Sequence, residues 1–315
     1  MLNFLPGPIL FLLSGLLLII NTSLWAGLIS IGGLLKLLLP WQAARTPLTR
    51  VMNSFMWAWA SCNGGILKLI AKIEWDIQGL EHLDKQGWYL IISNHLSGFD
   101  IAAQTYVLRN HIPMLKFFLK KELLYVPFLG LGCWALDMPY MNRTSAEKLK
   151  KNPKLKGKDM ETTRKSCERF RLLPTTIINY VEGSRFTEEK RQRQQSPYRY
   201  LLRPKAGGSA FALSAMGEQF THVLDITMAY PDAPKDILAS VMHGKVSKVV
   251  MHIKARPVPV VDDQRYINEP SYRVEFQRWL NQLWAEKDEQ IHQLLLKHKA
   301  NTSSFPQLAE QISKD

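Results

Sequence analysis

Residues 1–35 contain no charged side chain, and no other feature of the chain narrows its options so sharply. Two apolar runs of twelve, ILFLLSGLLLII (9–20) and LWAGLISIGGLL (24–35), flank Asn21, Thr22 and Ser23. As one helix, this segment exceeds the ~20 residues needed to cross a bilayer. As two, each run rises only ~18 Å and would dip into one leaflet as a hairpin. A cleaved signal peptide does not fit, because no basic n-region precedes the run and no small-x-small site closes it. Lys36, Arg45 and Arg50 follow directly, which puts the rest of the chain on the cytoplasmic side of a membrane. The next segment, VMNSFMWAWASCNGGILKLI (51–70), carries Trp57 and Trp59 and reads as an interfacial helix. The expected organisation is a membrane-anchoring helical region over 1–74, a globular domain over 75–300 and a polar tail over 301–315.

The charge balance points the same way. Forty Lys and Arg against 27 Asp and Glu give +13. Such an excess calls for an anionic partner: nucleic acid, a phosphorylated substrate or an acidic membrane surface. Most of it lies in two stretches, 143–171 at +7 and 185–205 at +5. Cys62, Cys133 and Cys167 are far apart without metal-ligand spacing, which favours a reduced setting over a disulfide framework.

Beyond residue 75 the pattern alternates. WYLIISN (88–94), MLKFFLK (114–120), ALDMPYM (135–141), TTIINYV (175–181), VLDITMAY (223–230) and KVSKVVMHIKA (245–255) read as strands. Helices are expected over 99–109, 159–172, 205–216 and 271–297, with the lysine-rich 144–158 as an exposed loop. The fold class is therefore α/β, a mixed, largely parallel sheet flanked by helices behind an apolar N-terminal segment. Ligands of such sheets sit beyond the carboxyl ends of the strands.

Two constellations fall at such ends. In LIISNHLSGFD (90–100) an apolar strand runs into His95, and Asp100 follows five residues later. Imidazole is the side chain best suited to take a proton from an alcohol near neutral pH. A carboxylate on its other nitrogen fixes the tautomer and stabilises the imidazolium. In NYVEGSRFTEEK (179–190) a strand ends in Glu182, followed by Gly183, Ser184 and Arg185. Arginine beside glycine at a strand end can grip phosphate with two parallel bonds. Arg143 and Lys205 are further phosphate candidates. Ser184 lacks the context of a nucleophile, since G-x-S-x-G occurs nowhere in the chain. That argues against a serine lipid hydrolase, the rival reading for an anchored, phosphate-gripping protein.

Taken in order, these segments resemble the motifs of the glycerolipid acyltransferase family, the 1-acylglycerol-3-phosphate O-acyltransferases. NHLSGFD matches its N-H-x4-D motif and VEGSRFT its E-G-[ST]-R motif. FLKKELLYVPFLGLGCWALDMPYMNR (118–143) is similar to the connecting segment that leads to the motif arginine, Arg143. DITMAYPD is similar to the fourth motif, with Pro231 in its usual place. The whole-chain pattern most resembles a bacterial inner-membrane member and its eukaryotic relatives. It departs from the family in the basic 144–158 insert and in Ser184 where threonine is commoner.

The resemblance implies an O-acyltransferase at the bacterial inner membrane, its catalytic domain facing the cytoplasm. His95 would be the general base and Asp100 its orienting partner. Arg185, Arg143 and Lys205 would bind substrate phosphate. Glu182, Gly183 and Ser184 would orient substrate, and Pro231 would support the acyl chain or the motif. The acceptor would be a lysophospholipid among the membrane lipids, and the donor acyl-CoA or acyl carrier protein. No cofactor, metal or nucleic acid is implied.

Overall fold

The computed structural model describes residues 2, 4–39, 41–120, 125, 129–138, 140–141, 173–233 and 236–312. The lysine-rich 144–158, the helix expected over 159–172, and Arg143 lie outside the described residues.

The charge-free segment forms one helix, α1 (Gly7–Leu38), 32 residues long and apolar enough to cross a membrane. It runs unbroken through Asn21 to Ser23. Two of those polar groups meet α2 (Gln42–Ile70), where Asn21 Nδ2 donates to Asn63 Oδ1 at 2.8 Å and Trp59 Nε1 donates to Thr22 Oγ1 at 3.2 Å. Helix α2 begins nine residues earlier than the apolar pattern suggests, with Pro47 inside it.

The remaining described elements are β1 (Glu74–Gln78), β2 (Tyr89–Ser93), α3 (Phe99–Leu108), β3 (Leu115–Phe117), β4 (Leu119–Lys120), α4 (Leu129–Ala135), β5 (Tyr140–Met141), β6 (Thr176–Tyr180), α5 (Glu188–Arg193), α6 (Gly207–Met216), β7 (His222–Ala229), α7 (Ile237–Met242), β8 (Lys248–Arg256), α8 (Asp263–Asn268) and α9 (Pro270–Ile312). Six strands form one sheet in the order β1-β8-β7-β2-β6-β3, and β4 pairs with β5. Neighbours are parallel except β7 and β8. The largely parallel mixed sheet flanked by helices is thus what the alternating pattern indicates.

Two expected strands come out differently. The 114–120 run is split between the two sheets, with Phe118 as the break. Among the described residues of ALDMPYM only Tyr140 and Met141 form a strand. Ala135 ends α4, and Asp137 takes a left-handed φ of 54° that stops the chain from running straight. Strand β1 carries no alternating signal, because it is a sheet edge with exposed ends. Helix α9 continues into the segment expected to be a polar tail, as far as Ile312.

Every residue of β2 is buried, as expected of a central strand covered on both faces. Leu90 and Ile92 face one layer, packing against Ala210 and Leu213 of α6 and Trp284 of α9. Tyr89 and Ile91 face the other, packing with Ala103 and Val107 of α3, Ile70 of α2 and Leu10 of α1. The core therefore extends into the N-terminal helices.

Helix α1 meets the rest of the protein near both of its ends. Near its start, Ser14 Oγ donates to the Met242 carbonyl at 3.0 Å. Near its end, Lys36 Nζ reaches Asp137 Oδ2 at 2.5 Å and the Ala135 carbonyl at 3.2 Å. Lys116 of β3, wholly buried, donates to the neighbouring Leu136 carbonyl, and burial lowers its pKa to about 8. Along the outer side of α1, Ile9, Leu12, Leu16, Ile19, Ile20, Leu24, Ile31, Leu34, Leu35 and Leu38 are exposed. Most of them recur at three, four or seven residues, as one face of a helix does, and Leu37 is exposed beside them near the end of α1.

Close approach of α2 to α3 depends on Gly64. A Cβ there would collide with the Tyr106 ring, whereas one at Gly65 would meet nothing. Gly64→Ala should cost about 1–3 kcal/mol through overpacking. Gly65→Ala should stabilise by about 0.5–1 kcal/mol through helix propensity. Thermal unfolding of the two variants side by side checks the docking.

Candidate active site

The polarity of the sheet brings the carboxyl ends of β2, β6 and β7 together, and His95 lies just beyond β2. Its backbone is held before its ring is. Asn94, fully buried, clamps β2 to β7 by donating to the Met228 carbonyl at 2.9 Å and accepting from Met228 N–H at 2.8 Å. His95 N–H points to Glu182 Oε1 at 3.4 Å, and the His95 carbonyl accepts from Phe186 N–H at 2.7 Å. The N-H-x4-D and E-G-S-R segments are thus stitched together by main chain.

The ring is fixed by Asp100, in the first turn of α3 and wholly buried. Asp100 Oδ2 lies 2.8 Å from His95 Nδ1 and accepts from the N–H groups of Leu96 at 2.7 Å and Ser97 at 2.9 Å. Oδ1 accepts from the Tyr230 hydroxyl at 2.7 Å. With Asp100 accepting, the proton sits on Nδ1 and the Nε2 lone pair is left free, the tautomer a general base requires. Burial, and next the Asp100 charge, push the Tyr230 phenol well above its ordinary pKa, so it remains a donor. One face of the imidazole stacks on Tyr180, with ring centroids 4.1 Å apart at 19°.

Glu182 is fully buried. Burial raises its pKa to about 8 against the opposing pull of Leu202 N–H, His95 N–H and Lys287, so it carries its proton at neutral pH. Its oxygens face His95 N–H and, at 3.3 Å, Leu202 N–H. Glu182 therefore braces two stretches of backbone and makes no bond to Arg185. Gly183 turns the chain with φ 72°, a left-handed value suited to glycine, and its N–H closes on the Tyr180 carbonyl at 2.9 Å. Ser184 is half-buried, and Arg185 is exposed with no side-chain partner among the described residues. Lys205 is also exposed, and its N–H donates to the Val181 carbonyl at 2.8 Å, which places it beside the same turn. Pro231 follows Tyr230 in a turn closed by Ala233 N–H to the Tyr230 carbonyl at 3.2 Å. It sets the exit of the strand that delivers Tyr230. His95, Asp100, Glu182, Gly183, Ser184, Arg185, Lys205 and Pro231 thus converge on one end of the sheet.

Several contributors leave little trace in the sequence. Helix α9 presents Gln277, Asn281, Trp284 and Asp288 at spacings of four, three and four, and all of them grip 198–206. Asp288 accepts from Arg199 and Tyr200 N–H at 3.0 and 2.8 Å. Trp284 Nε1 donates to the Leu202 carbonyl at 3.1 Å. The Asn281 carbonyl accepts from the Tyr198 hydroxyl at 3.2 Å, and Gln277 bonds both Pro204 and Ala206. Below them Lys287, wholly buried, pairs with Asp225 Oδ1 at 2.5 Å, and Arg256 takes the other oxygen at 3.0 Å. Tyr230, Asn94 and Leu202 are visible only in three dimensions, because what they contact is main chain or lies far away in sequence. Among the described residues no group of three His, Cys, Asp or Glu side chains could hold a metal ion.

A protein-family model described as Acyltransferase matches residues 74–231. Similar proteins include 1-acyl-sn-glycerol-3-phosphate acyltransferase 3 of Arabidopsis thaliana, 25% identical over 70% of this chain and 57% of that protein. The delta enzyme of Mus musculus is 24% identical over 68% and 54%, and the human gamma enzyme 25% over 54% and 43%. The chain spans about half the length of these relatives. Among solved structures, the 1-acyl-sn-glycerophosphate (LPA) acyltransferase PlsC from Thermotoga maritima matches with a TM-score of 0.52. That match has 15% identity and covers 90% of this chain and 97% of that one, a likeness of fold.

Removing the Tyr230 hydroxyl takes one of four donors from a buried carboxylate. Tyr230→Phe should cost about 1.5–3 kcal/mol, the range for a hydrogen bond to a charged group, in a chemical unfolding experiment.

Proposed function

The chain belongs to the acyltransferase family, and from that premise we propose that it transfers a fatty acyl chain from a thioester to the free glycerol hydroxyl of a lysophospholipid. The acceptor we favour is 1-acylglycerol-3-phosphate, as in the names of the relatives. The observation that carries this reading is the His95–Asp100 pair, 2.8 Å apart, stitched through its own backbone to the turn that bears Arg185.

In this reading His95 Nε2 takes the proton of the glycerol hydroxyl as its oxygen attacks the thioester carbonyl. Asp100 stabilises the imidazolium that forms. Collapse of the tetrahedral intermediate breaks the carbon–sulfur bond, and the departing thiolate takes the proton back from Nε2. The product is the ester and a free thiol, of CoA or of acyl carrier protein. Arg185, with Lys205 and Arg143, binds the acceptor phosphate. Glu182, neutral and braced against backbone, keeps the turn in place.

The anchoring of the site follows from α1. Both ends of the helix touch the same globular body, so its axis runs along that body rather than away from it. The exposed apolar face then lies in one leaflet, at the inner membrane with the catalytic domain on the cytoplasmic side, where Lys36, Arg45 and Arg50 follow the apolar run. On this reading residues 1–74 seat in the bilayer a catalytic domain that extends to about residue 300. A lipid acceptor need not leave the bilayer, which would cost about 0.8 kcal/mol per CH₂.

Membranes holding the protein, supplied with 1-acylglycerol-3-phosphate and labelled acyl-CoA or acyl carrier protein, should yield labelled phosphatidic acid. His95→Ala should lower turnover by about 10²–10⁴-fold while membrane attachment persists. Asp100→Asn should retain more activity than His95→Ala. Near wild-type turnover of His95→Ala overturns the general-base assignment.

Arg185→Ala should chiefly raise KM for the phosphorylated acceptor, with Arg185→Lys restoring only part, because an ammonium lacks the two-pronged geometry. If instead KM for the acyl donor rises, the acceptor phosphate belongs to other cations.

A further inference from the structure

Tyr180 lies against the catalytic pair without any assigned part in the reaction. It ends β6, and the stack with His95 is close and nearly parallel, as noted above. Its hydroxyl is buried with no hydrogen-bond partner among the described residues. That contrasts with Tyr230 across the site, whose hydroxyl is tied to Asp100. An unsatisfied buried hydroxyl is a cost to the fold. The contact that Tyr180 makes with the catalytic pair is the ring stack on His95.

Resting on the general-base reading, we propose that Tyr180 is a positioning residue whose aromatic face stabilises the His95 imidazolium formed during acyl transfer and holds the ring in plane for Asp100. The face of a phenol carries negative quadrupolar charge, and a cation within about 6 Å of its centroid is attracted. The attraction is larger where water is excluded, and His95 is mostly buried, with 15% of its side chain exposed. Because the imidazolium is favoured more than neutral imidazole, the stack acts where charge develops. It lowers the barrier to proton abstraction, and the proton held on Nε2 passes to the thiolate when the carbon–sulfur bond breaks.

Among the described residues, the groups that face His95 from the surrounding elements are few. Asp100 on α3 holds Nδ1, Glu182 beyond β6 faces the backbone N–H, and Tyr230 beyond β7 lies behind Asp100. Arg185 follows on the exposed side, and Lys287 on α9 lies behind Glu182. Glu182 and the two phenols titrate from well above their ordinary values. Glu182, at about 8, changes charge only in the upper part of the pH range used below, so the acid limb is identified by the His95 NMR signal itself.

The experiment compares Tyr180→Phe, Tyr180→Leu and Tyr180→Met with wild type and His95→Ala in the full chain. Acyl transfer from acyl-CoA to 1-acylglycerol-3-phosphate in mixed micelles is followed from about pH 5 to pH 9, a window that brackets histidine titration. Imidazole titration of His95 by NMR on the same samples supplies a readout that needs no turnover. Stabilising the charged form raises the His95 pKa, so losing the ring must lower it. Tyr180→Leu and Tyr180→Met should move the acid limb and the NMR midpoint down by about 0.4–1.5 pH units. They should also lower kcat by roughly 2- to 30-fold, with KM for the acceptor little changed. Tyr180→Phe should keep the wild-type profile and turnover.

A kcat loss in the aliphatic variants with neither midpoint moved would reduce Tyr180 to a packing residue and overturn the proposal. A loss in Tyr180→Phe equal to that in Tyr180→Leu would shift the role to the hydroxyl and overturn it equally. Should His95→Ala remain active, the general-base reading itself fails. An inactive His95→Ala beside an unmoved Tyr180→Leu profile rejects the aromatic role alone. Having two aliphatic side chains of different shape, and Phe to report on the fold, separates misfolding from electrostatics.

Discussion

A carboxylate with no exposure to water is the constraint around which the rest of this molecule is arranged. Asp100 is wholly buried, and a buried carboxylate is tolerated only when its oxygens are satisfied. Two of its four donors are main-chain N–H groups from its own turn, one is His95 and one is Tyr230. The main-chain donors fix the β2–α3 turn, and Tyr230 requires β7 to end beside it. The position in the first turn of α3 adds the favourable field of a helix start. Once these are met the imidazole has one orientation, and Asn94, Glu182 and Phe186 hold the backbone that carries it.

Much of this is legible in the sequence because it is local. Asp100 folds back over five residues, Gly183 allows a left-handed turn, and unbroken apolar runs mark the central strands. The sheet was readable for the same reason, with its layers set by strands buried on both faces. Legibility failed where neither periodicity nor side-chain identity carries the signal. Strand β1 is a half-exposed edge, and the 135–141 run, apolar enough for a strand, is bent at Asp137 by a backbone angle that composition does not announce. The grip of α9 on 198–206 is largely side chain to main chain, so its partners have no residue type to recognise. Glu182 could be picked out as important, yet its backbone partners could not.

The apolar helix and the globular domain form one body. Leu10 belongs to the sheet's own core, and Lys36 at the other end of α1 meets Asp137 beside the buried Lys116. Such a helix cannot swing on a hinge relative to the sheet. On the proposed seating of α1, the depth of the site in a leaflet and the angle at which lipid reaches it are properties of the folded state rather than of a flexible tether.

The reach of α9 back to the site has a consequence for how the protein is made. The apolar helix leaves the ribosome ahead of the sheet and can settle on lipid while roughly 250 residues, from its end to Asp288, are still to come. Until β8 arrives, the sheet lacks the strand that joins β1 to β7. Until Trp284 and Asp288 emerge, nothing from α9 holds the loop whose Leu202 N–H braces Glu182. A nascent chain can thus rest against the membrane with its chemistry disarmed. Competence waits on α9, a segment far in sequence from α1.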